Sequence, residues 1–166
     1  MASVCPKTPS HHSDKDRITV VDTREQEPYA FDPRCEVVRR ALPAGDYSIE
    51  GLEDSVAVER KTLEDFVSTV IRNRKRFYRE LQRLEEYEAA CVVVESDLRD
   101  VLNGHYRSGA HPNAVLGTVL SIVVDFQIPV FFCSDRQVAC RFVEEFLLRF
   151  HRKVSRRCEE KLPEIK

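Results

Sequence analysis

Six short runs of apolar and β-branched residues along the chain predict the strands of a single sheet. These runs span residues 17–22, 35–42, 46–49, 55–60, 90–95 and 129–133. The first four lie close together in the sequence, which favours an antiparallel meander. The last two are separated from the preceding strands by segments with helical spacing, which favours right-handed parallel crossovers.

Helical spacing of apolar residues fills most of the remaining sequence. One pattern begins at Thr62 and ends at Leu84, and Asn73 is expected to divide it into two helices. A second covers residues 112–126 with a proline in its first turn, and a third covers residues 136–150 with a stripe of aromatic and aliphatic residues. Together the patterns predict an α/β domain with a central mixed β-sheet flanked by helices.

Composition divides the chain into three parts. Residues 1–16 are rich in Ser, Pro, His and Lys and lack an apolar stretch, so we expect a disordered lead-in and no secretory signal. Residues 17–151 are expected to form one domain. Residues 152–166 are charged and are expected to fray as a C-terminal tail. No window approaches the roughly 18 apolar residues of a membrane helix, so no membrane association is expected.

The cysteine pattern predicts an intracellular protein, located in the cytoplasm or nucleoid, or in the nucleus of a eukaryote. The chain has six cysteines, and none of them has C-x-x-C spacing. Four lie in or beside apolar stretches, where a free cysteine behaves as a small hydrophobic residue. We therefore expect a reducing compartment, without a disulfide framework or a zinc site.

The charge distribution predicts a phosphate-binding helix in a chain whose formal net charge is only −2. Non-specific nucleic-acid binders are usually basic as a whole, but a local basic cluster can bind phosphates while acids elsewhere set the total. The cluster expected to bind DNA consists of Arg72, Arg74, Lys75, Arg76 and Arg79. A solvated helix face is the alternative interpretation of these residues.

Two predicted strands bring acidic residues and a lysine together. If these strands form a hairpin that turns between residues 52 and 53, Asp46 lies opposite Glu59, with Cβ atoms roughly 5 Å apart. Side chains alternate along a strand, so Lys61 shares the face of Glu59 and Arg60 points away. A slip of one residue in the register would destroy this cluster.

This cluster has the composition of a site for metal-dependent hydrolysis of a phosphodiester. Two close carboxylates repel each other unless a cation lies between them. Mg²⁺ suits such a site because it binds one or two carboxylates together with waters and substrate phosphate. The metal would acidify a bound water, and Lys61 would position that water or help to deprotonate it. Asp22, at the end of the first strand, could bring a third carboxylate to this edge together with Arg24 and Glu25.

Two features have alternative interpretations. Asp65 follows Thr62 at the spacing of a capping box, with Thr62 as the N-cap, but it also lies near the metal cluster and could take part in the chemistry. The aromatic stripe over residues 136–150 could belong to the core or form a dimer interface.

Three motifs that follow one another along the chain resemble a known signature. They are D-x-R-E at residues 22–25, G-D at residues 45–46 and E-R-K-x-x-x-D at residues 59–65. It is that of the XPF/Hef-type structure-specific endonuclease domain, and the resemblance extends from Ile18 to Phe150. It implies a restriction-endonuclease-like fold. It also implies Mg²⁺- or Mn²⁺-dependent incision of branched DNA, near junctions of double and single strands such as flaps and forks, in repair or recombination.

The resemblance also assigns roles to residues. Metal ligation carries over onto Asp22, Asp46 and Glu59, and the positioning of water onto Lys61. Supporting positions of the active site match Arg24, Glu25, Arg60 and Asp65. Arg76 matches an arginine that helps to engage DNA, although Lys75 stands where the family often has glycine.

Partners are implied by the same family. Its nuclease domains pair with one another, which predicts a homodimer through the helix over residues 112–126 or that over residues 136–150. Its enzymes usually carry a tandem helix-hairpin-helix module and some carry a helicase domain. The chain has room for neither, which predicts a separate DNA-binding or helicase partner.

Two other functions are compatible with the sequence. The first is a non-catalytic DNA-binding or scaffold subunit of a nuclease complex, which would be expected to lose some of the acids, whereas none is lost here. The second is a restriction or mobile-element nuclease that acts on duplex DNA.

Overall fold

The computed structural model describes residues 17–160, which form six strands and five helices. The strands are β1 (Ile18–Val21), β2 (Glu36–Arg39), β3 (Tyr47–Ile49), β4 (Val56–Thr62), β5 (Ala89–Glu95) and β6 (Val130–Phe132). The helices are α1 (Leu63–Ile71), α2 (Arg74–Leu84), α3 (Leu98–Asn103), α4 (Pro112–Val124) and α5 (Arg136–Glu160). All six predicted strands are confirmed, as is the division of one helical pattern at Asn73.

The six strands form one mixed sheet in the order β2-β1-β3-β4-β5-β6. The predicted meander of the first four strands is wrong, because β1 and β2 are parallel and β3 pairs with the other edge of β1. A long connection over residues 22–35 makes this parallel pairing possible. It crosses the sheet and stacks Tyr29 on Tyr47, with ring centroids 5.1 Å apart. The predicted parallel pairing of the later strands is confirmed.

Each face of the sheet has its own hydrophobic core, and alternation along β4 assigns residues to them. Ala57 packs among residues of α1, α2 and α4 on one face. Val58 packs with α5 on the opposite face. Beyond them, Glu59 and Lys61 continue on the face of α1 and α2, and Arg60 continues on the face of α5. The end of β4 therefore separates two sets of charged groups by the thickness of the sheet.

The last helix is longer than expected. It continues to Glu160, whereas the sequence pattern predicted an end at Phe150 and a frayed segment beyond it. Val154 packs against the core below α5, and Lys153 forms an ion pair with Glu88, with 3.0 Å between Nζ and Oε1. These contacts extend the helix over charged sequence, and residues 161–166 of the predicted tail lie outside the described range. The predicted lead-in over residues 1–16 also lies outside it.

A short helix that the periodicity did not predict follows β5. Asp97 caps α3 through a reciprocal capping box with Asp100, and Gly104 ends the helix in the left-handed conformation. Six residues are too few for a helical period to stand out in the sequence. Within residues 17–160, no helix combines the length and apolar character needed to cross a membrane.

Candidate active site

A glycine turn at the start of β3 presents Asp46 to the neighbouring strand. Gly45 has a φ of +75°, which glycine adopts readily, and a Cβ there would lie 3.0 Å from the Val58 carbonyl oxygen. Tyr47 lies opposite Val58, which is the register that the hairpin interpretation required. The Asp46 N–H donates to the Val58 carbonyl at 2.8 Å, and Oδ2 of Asp46 accepts from the Arg60 N–H at 2.7 Å. The Asp46 carboxylate thus takes the place of a backbone acceptor for the Arg60 N–H just before β3 begins.

A polar cavity of about 270 Å³ lies between this turn, the end of β4 and helix α2. Its walls combine three acids, three basic residues, two small polar residues, one aromatic residue and Gly45. The residues are Arg24, Gly45, Asp46, Glu59, Lys61, Thr69, Asn73, Arg76, Phe77 and Glu80. Asp46, Glu59 and Lys61 therefore meet at one cavity, as the predicted hairpin and alternation require.

A second opening of about 460 Å³ continues from this cavity along the start of α1. The two share Arg24, Asp46, Glu59, Lys61, Thr69 and Asn73, so they form one continuous groove. The groove adds Glu25, Arg60 and Asp65 from the predicted site residues. An open groove lined by charged groups fits an extended, charged polymer better than a small enclosed ligand.

Burial makes Asp46 and Glu59 difficult to ionise. Burial and repulsion from Glu59 raise the pKa of Asp46 to about 8. Burial also raises the pKa of Glu59, although the bond from Lys61 opposes that shift. A bound cation would favour the ionised form of both carboxyls and would offset the effect of burial on their pKa values, so the pair is suited to hold one.

Lys61 lies beside Glu59 with 3.0 Å between Nζ and Oε1. Its ammonium also lies over the ring of Phe77, 5.4 Å from the centroid. Burial alone would lower the pKa of Lys61, but the attraction and hydrogen bond of Glu59 outweigh it and raise that pKa. Lys61 is therefore a charged donor at neutral pH, suited to hold a water or a phosphate oxygen and unsuited to accept a proton.

Arg60 is held on the opposite face of β4, as the alternation predicts. Its Nε donates to Glu95 at 2.7 Å and its NH1 lies 3.2 Å from Glu25. The side chains of all three residues are at most 9% exposed. Tyr29 adds a hydroxyl that donates to Glu95 at 2.7 Å, and the Arg60 guanidinium lies over its ring. This buried network ties the loop after β1 to β4 and β5.

Asp22 lines neither the cavity nor the adjoining groove. Its side chain is 1% exposed and accepts hydrogen bonds from the Arg24 backbone, the Arg24 guanidinium and the Leu42 N–H, with the shortest at 2.7 Å. Burial would raise the pKa of Asp22, but these bonds outweigh it and lower that pKa. Asp22 thereby fixes Arg24, whose side chain is 61% exposed and reaches the cavity.

Asp65 takes part in capping α1. Thr62 is the N-cap, and its Oγ1 accepts from the Asp65 N–H at 3.1 Å and donates to the Asp65 carboxylate at 2.8 Å. The predicted N-cap at Thr62 is confirmed, and the Asp65 carboxylate engages the hydroxyl of Thr62 instead of forming the predicted capping box. The same carboxylate lines the groove, so capping does not remove it from the site.

The basic cluster lies on α2 and at Arg72, the C-cap of α1, and it reaches the cavity through one residue. Arg76 lines the cavity, whereas Arg72, Arg74, Lys75 and Arg79 are exposed outside it. The guanidinium of Arg74 lies over the ring of Tyr78, 5.2 Å from its centroid. The helix therefore presents a basic surface that begins at the cavity and extends away from it.

Glu80 is the charged cavity residue that the sequence interpretation missed. It projects from α2, its side chain is 20% exposed, and its Oε1 accepts from the Gly45 N–H at 2.9 Å. It lies one helical turn after Arg76, and this spacing places both side chains on the same face of the helix. That spacing was a usable signal, but it was overlooked among the basic residues of this segment.

The donor set fits Mg²⁺ or Mn²⁺ bound partly by the substrate. Within residues 17–160, no group of three His, Cys, Asp or Glu side chains is arranged to hold an ion. Asp46 and Glu59 nevertheless each have one carboxylate oxygen that accepts no hydrogen bond from the described residues. Mg²⁺ commonly binds through one or two carboxylates and completes its shell with waters and phosphate oxygens. Two carboxylates beside an open groove meet that requirement.

Comparisons with known proteins agree with this geometry. The ERCC4 domain family matches residues 21–146. A protein of Methanocaldococcus jannaschii named as an ATP-dependent RNA helicase is 39% identical over 98 residues, covering 59% of this chain and 11% of that protein. The 3'-flap repair endonuclease Xpf of Saccharolobus solfataricus is 30% identical over 115 residues, covering 69% of this chain and 46% of that protein. The chain thus spans less than half the length of either relative.

Solved structures have the same fold. XPF from Aeropyrum pernix superposes with a TM-score of 0.63 at 24% identity, over 87% of this chain and 70% of that one. A second structure of XPF from Aeropyrum pernix, in complex with DNA, superposes with a TM-score of 0.62 at 26% identity, over 82% of this chain and 66% of that one. The predicted restriction-endonuclease-like fold, with a central mixed sheet flanked by helices, is confirmed.

Proposed function

Because the chain belongs to the ERCC4 domain family, as its resemblance to the XPF/Hef-type nuclease domain predicted, we propose that it is a metal-dependent DNA endonuclease. It cuts phosphodiester bonds near junctions of double- and single-stranded DNA, in repair or recombination. The observation that carries the proposal is the meeting of Asp46, Glu59 and Lys61 in one open cavity beside a basic helix.

Asp46 and Glu59 would hold a Mg²⁺ or Mn²⁺ ion through their unengaged oxygens. When bound, the ion would polarise the phosphate and lower the pKa of a bound water. We assign ligation to these two acids and a supporting role to Asp22, because the oxygens of Asp22 are engaged by Arg24 and Leu42. By this assignment Asp22 acts through Arg24, which it holds at the cavity.

Lys61 would act as a fixed positive donor. Its ammonium, held by Glu59 at 3.0 Å, is suited to orient the attacking water and to stabilise negative charge on the phosphorane. The raised pKa of Lys61 supports this role over that of a base. Arg60 and Glu25 would support the site from the opposite face by holding β4 in place.

The DNA backbone would follow α2 into the groove. Arg24 and Arg76 at the cavity would contact the phosphates around the scissile bond, and the exposed basic residues of α2 would contact phosphates further away. The preference for branched DNA is supported by the relative named as a 3'-flap repair endonuclease, and DNA binding by the structure of XPF from Aeropyrum pernix in complex with DNA.

A homodimer through α4 is part of the proposal. Helix α4 contains no charged residue between Pro112 and Val124, yet Leu120, Val123 and Val124 are 53%, 42% and 67% exposed. An uncharged helix with such a surface is typical of an interface. The aromatic stripe of α5 does not offer the same surface, because Phe142 and Phe146 pack against the core.

The proposal also covers a partner protein and the cellular location. We infer that a separate DNA-binding or helicase protein assists the chain, which is supported by the relative named as a helicase, of which the chain covers 11%. An intracellular location is supported by the DNA substrate and by five free cysteines among residues 17–160.

The test compares flap, fork and linear duplex DNA as substrates. The purified chain is incubated with each in Mg²⁺, in Mn²⁺ and in EDTA, beside Asp46→Asn and the exposed control Asp54→Asn. We expect metal-dependent cuts near junctions by the parent and by Asp54→Asn, and none by Asp46→Asn. Binding without cutting would instead indicate a non-catalytic subunit, and equal cutting of linear DNA would indicate a duplex nuclease.

A further inference from the structure

Glu80 joins the basic helix to the turn that carries Asp46. From α2, its Oε1 accepts the N–H of Gly45, the residue before Asp46, at 2.9 Å. Gly45 has a left-handed φ, so the peptide group before Asp46 points in a direction that few residues can adopt. Among the described residues, Glu80 is the partner of that N–H, and the bond crosses from one wall of the cavity to another.

The contacts of Glu80 separate its role from that of a metal ligand. One of its oxygens is engaged by Gly45, and the other lies 3.4 Å from Arg83 NH1. Within residues 17–160, no three acids come together as a metal-holding group, so Glu80 does not complete a triad with Asp46 and Glu59. Its position on the cavity wall, with only 20% of the side chain exposed, is nevertheless unusual for an acid in a basic helix.

We propose that Glu80 is a positioning residue that fixes the Gly45 turn and thereby places Asp46 for metal binding. The inference rests on the proposed function, because it assigns Asp46 to the metal. A ligand held by a neighbouring hydrogen bond loses less freedom when the metal binds, and removal of such a supporting bond typically costs roughly 10-fold to 100-fold in metal affinity or activity. The bond also connects the helix that carries Arg76 to the turn that carries Asp46.

The experiment measures Mn²⁺ affinity by titration, without DNA or turnover. Glu80→Ala removes the acceptor, and Glu80→Met removes it while keeping a similar volume, which serves if the Ala variant folds poorly. Glu80→Gln keeps an acceptor oxygen without the charge. Glu85→Ala removes the same charge from an exposed residue at the end of α2. We expect about tenfold weaker Mn²⁺ binding for Glu80→Ala and Glu80→Met, and affinities near the parent for Glu80→Gln and Glu85→Ala.

A second readout follows the hydrogen bond itself in metal-free protein. The Gly45 amide should exchange with solvent faster in Glu80→Ala and Glu80→Met than in the parent, and Glu80→Gln should keep it protected. Equal weakening by Glu80→Gln and Glu80→Ala would overturn the proposal in favour of a charge effect. Unchanged Mn²⁺ affinity in Glu80→Ala would overturn the role of Glu80 and leave the proposed function intact. A parent protein that binds no Mn²⁺ would overturn both the role of Glu80 and the proposed function.

Discussion

Replacement of Asp46 by Asn should stabilise the metal-free protein while it abolishes metal binding. The Asp46 carboxyl is buried beside Glu59, which already forms an ion pair with Lys61. Lys61 is thus paired with Glu59 and not with Asp46, whose carboxylate accepts the Arg60 backbone N–H. Asn has the same shape and keeps an oxygen that can accept the Arg60 N–H, so the substitution removes the charge and little else.

The magnitude follows from the difference between two pKa values. In the unfolded chain the Asp46 carboxyl titrates near 3.8, and in the fold burial and Glu59 raise its pKa to about 8. An acid with a raised pKa binds its proton more tightly in the folded state, so stability is lost as the pH rises from about 4 to about 8. At about 1.4 kcal/mol for each pKa unit, the ceiling is roughly 6 kcal/mol. Relaxation and entry of water recover part of it, and we expect about 2 kcal/mol.

The assay is urea unfolding in EDTA at pH 5 and at pH 8.5. Asp46→Asn should exceed the parent in free energy of unfolding by about 2 kcal/mol at pH 8.5 and by less at pH 5. Asp54→Asn, which removes an exposed carboxylate, should match the parent at both pH values. Addition of Mn²⁺ at pH 8.5 should stabilise the parent and Asp54→Asn but not Asp46→Asn.

Two results would contradict the predicted effect of Asp46→Asn. If Asp46→Asn is no more stable than the parent at pH 8.5, the carboxyl is not strained by its surroundings. If its advantage is the same at pH 5 and at pH 8.5, the gain does not come from removal of an ionised group.

Three further predictions concern the turn, the buried network and the basic helix. Gly45→Ala should lower the free energy of unfolding by about 3 kcal/mol, because the added Cβ would meet backbone atoms. Gly51→Ala should cost only about 1 kcal/mol, because Gly51 has a similar φ but open space around it. Equal losses for the two variants in urea unfolding would contradict this prediction. Arg60→Ala should cost about 3 kcal/mol in the same assay, because it leaves buried carboxylates unpaired; a loss under about 1 kcal/mol would contradict it. Arg76→Ala should weaken DNA binding and make its salt dependence shallower. The control Arg149→Ala, at an exposed position of α5, should change neither. An unchanged salt slope for Arg76→Ala would exclude direct phosphate contact by Arg76.

The part of the site that depends on local pairing was predictable from the sequence. Asp46 and Glu59 belong to strands joined by a short turn, so turn position and side-chain alternation sufficed to bring them to one cavity. The same alternation correctly sent Arg60 to the opposite face. The later parallel strands were also predictable, because helical segments between them imply crossovers.

Features that depend on non-local packing were not predictable in this way. The hydrophobic pattern is the same for an antiparallel and a parallel β1–β2 pair. The parallel pair depends on the path of the connection between the two strands, and that path involves a long-range contact, the stacking of Tyr29 on Tyr47. The bond between Glu80 and Gly45 joins residues far apart in the chain. The extension of α5 depends on Glu88, which lies before β5 and becomes a partner only in the folded chain.

Glu59 is the acid on which the proposed cutting site depends most. The measurement is the rate at which the parent and Glu59→Gln cut an end-labelled DNA fork in Mn²⁺, under single-turnover conditions and with enzyme in excess. We predict metal-dependent cutting by the parent and a rate at least about a hundredfold lower for Glu59→Gln, with fork binding retained. Cutting by Glu59→Gln at the rate of the parent, or the absence of any cut by the parent, would contradict it.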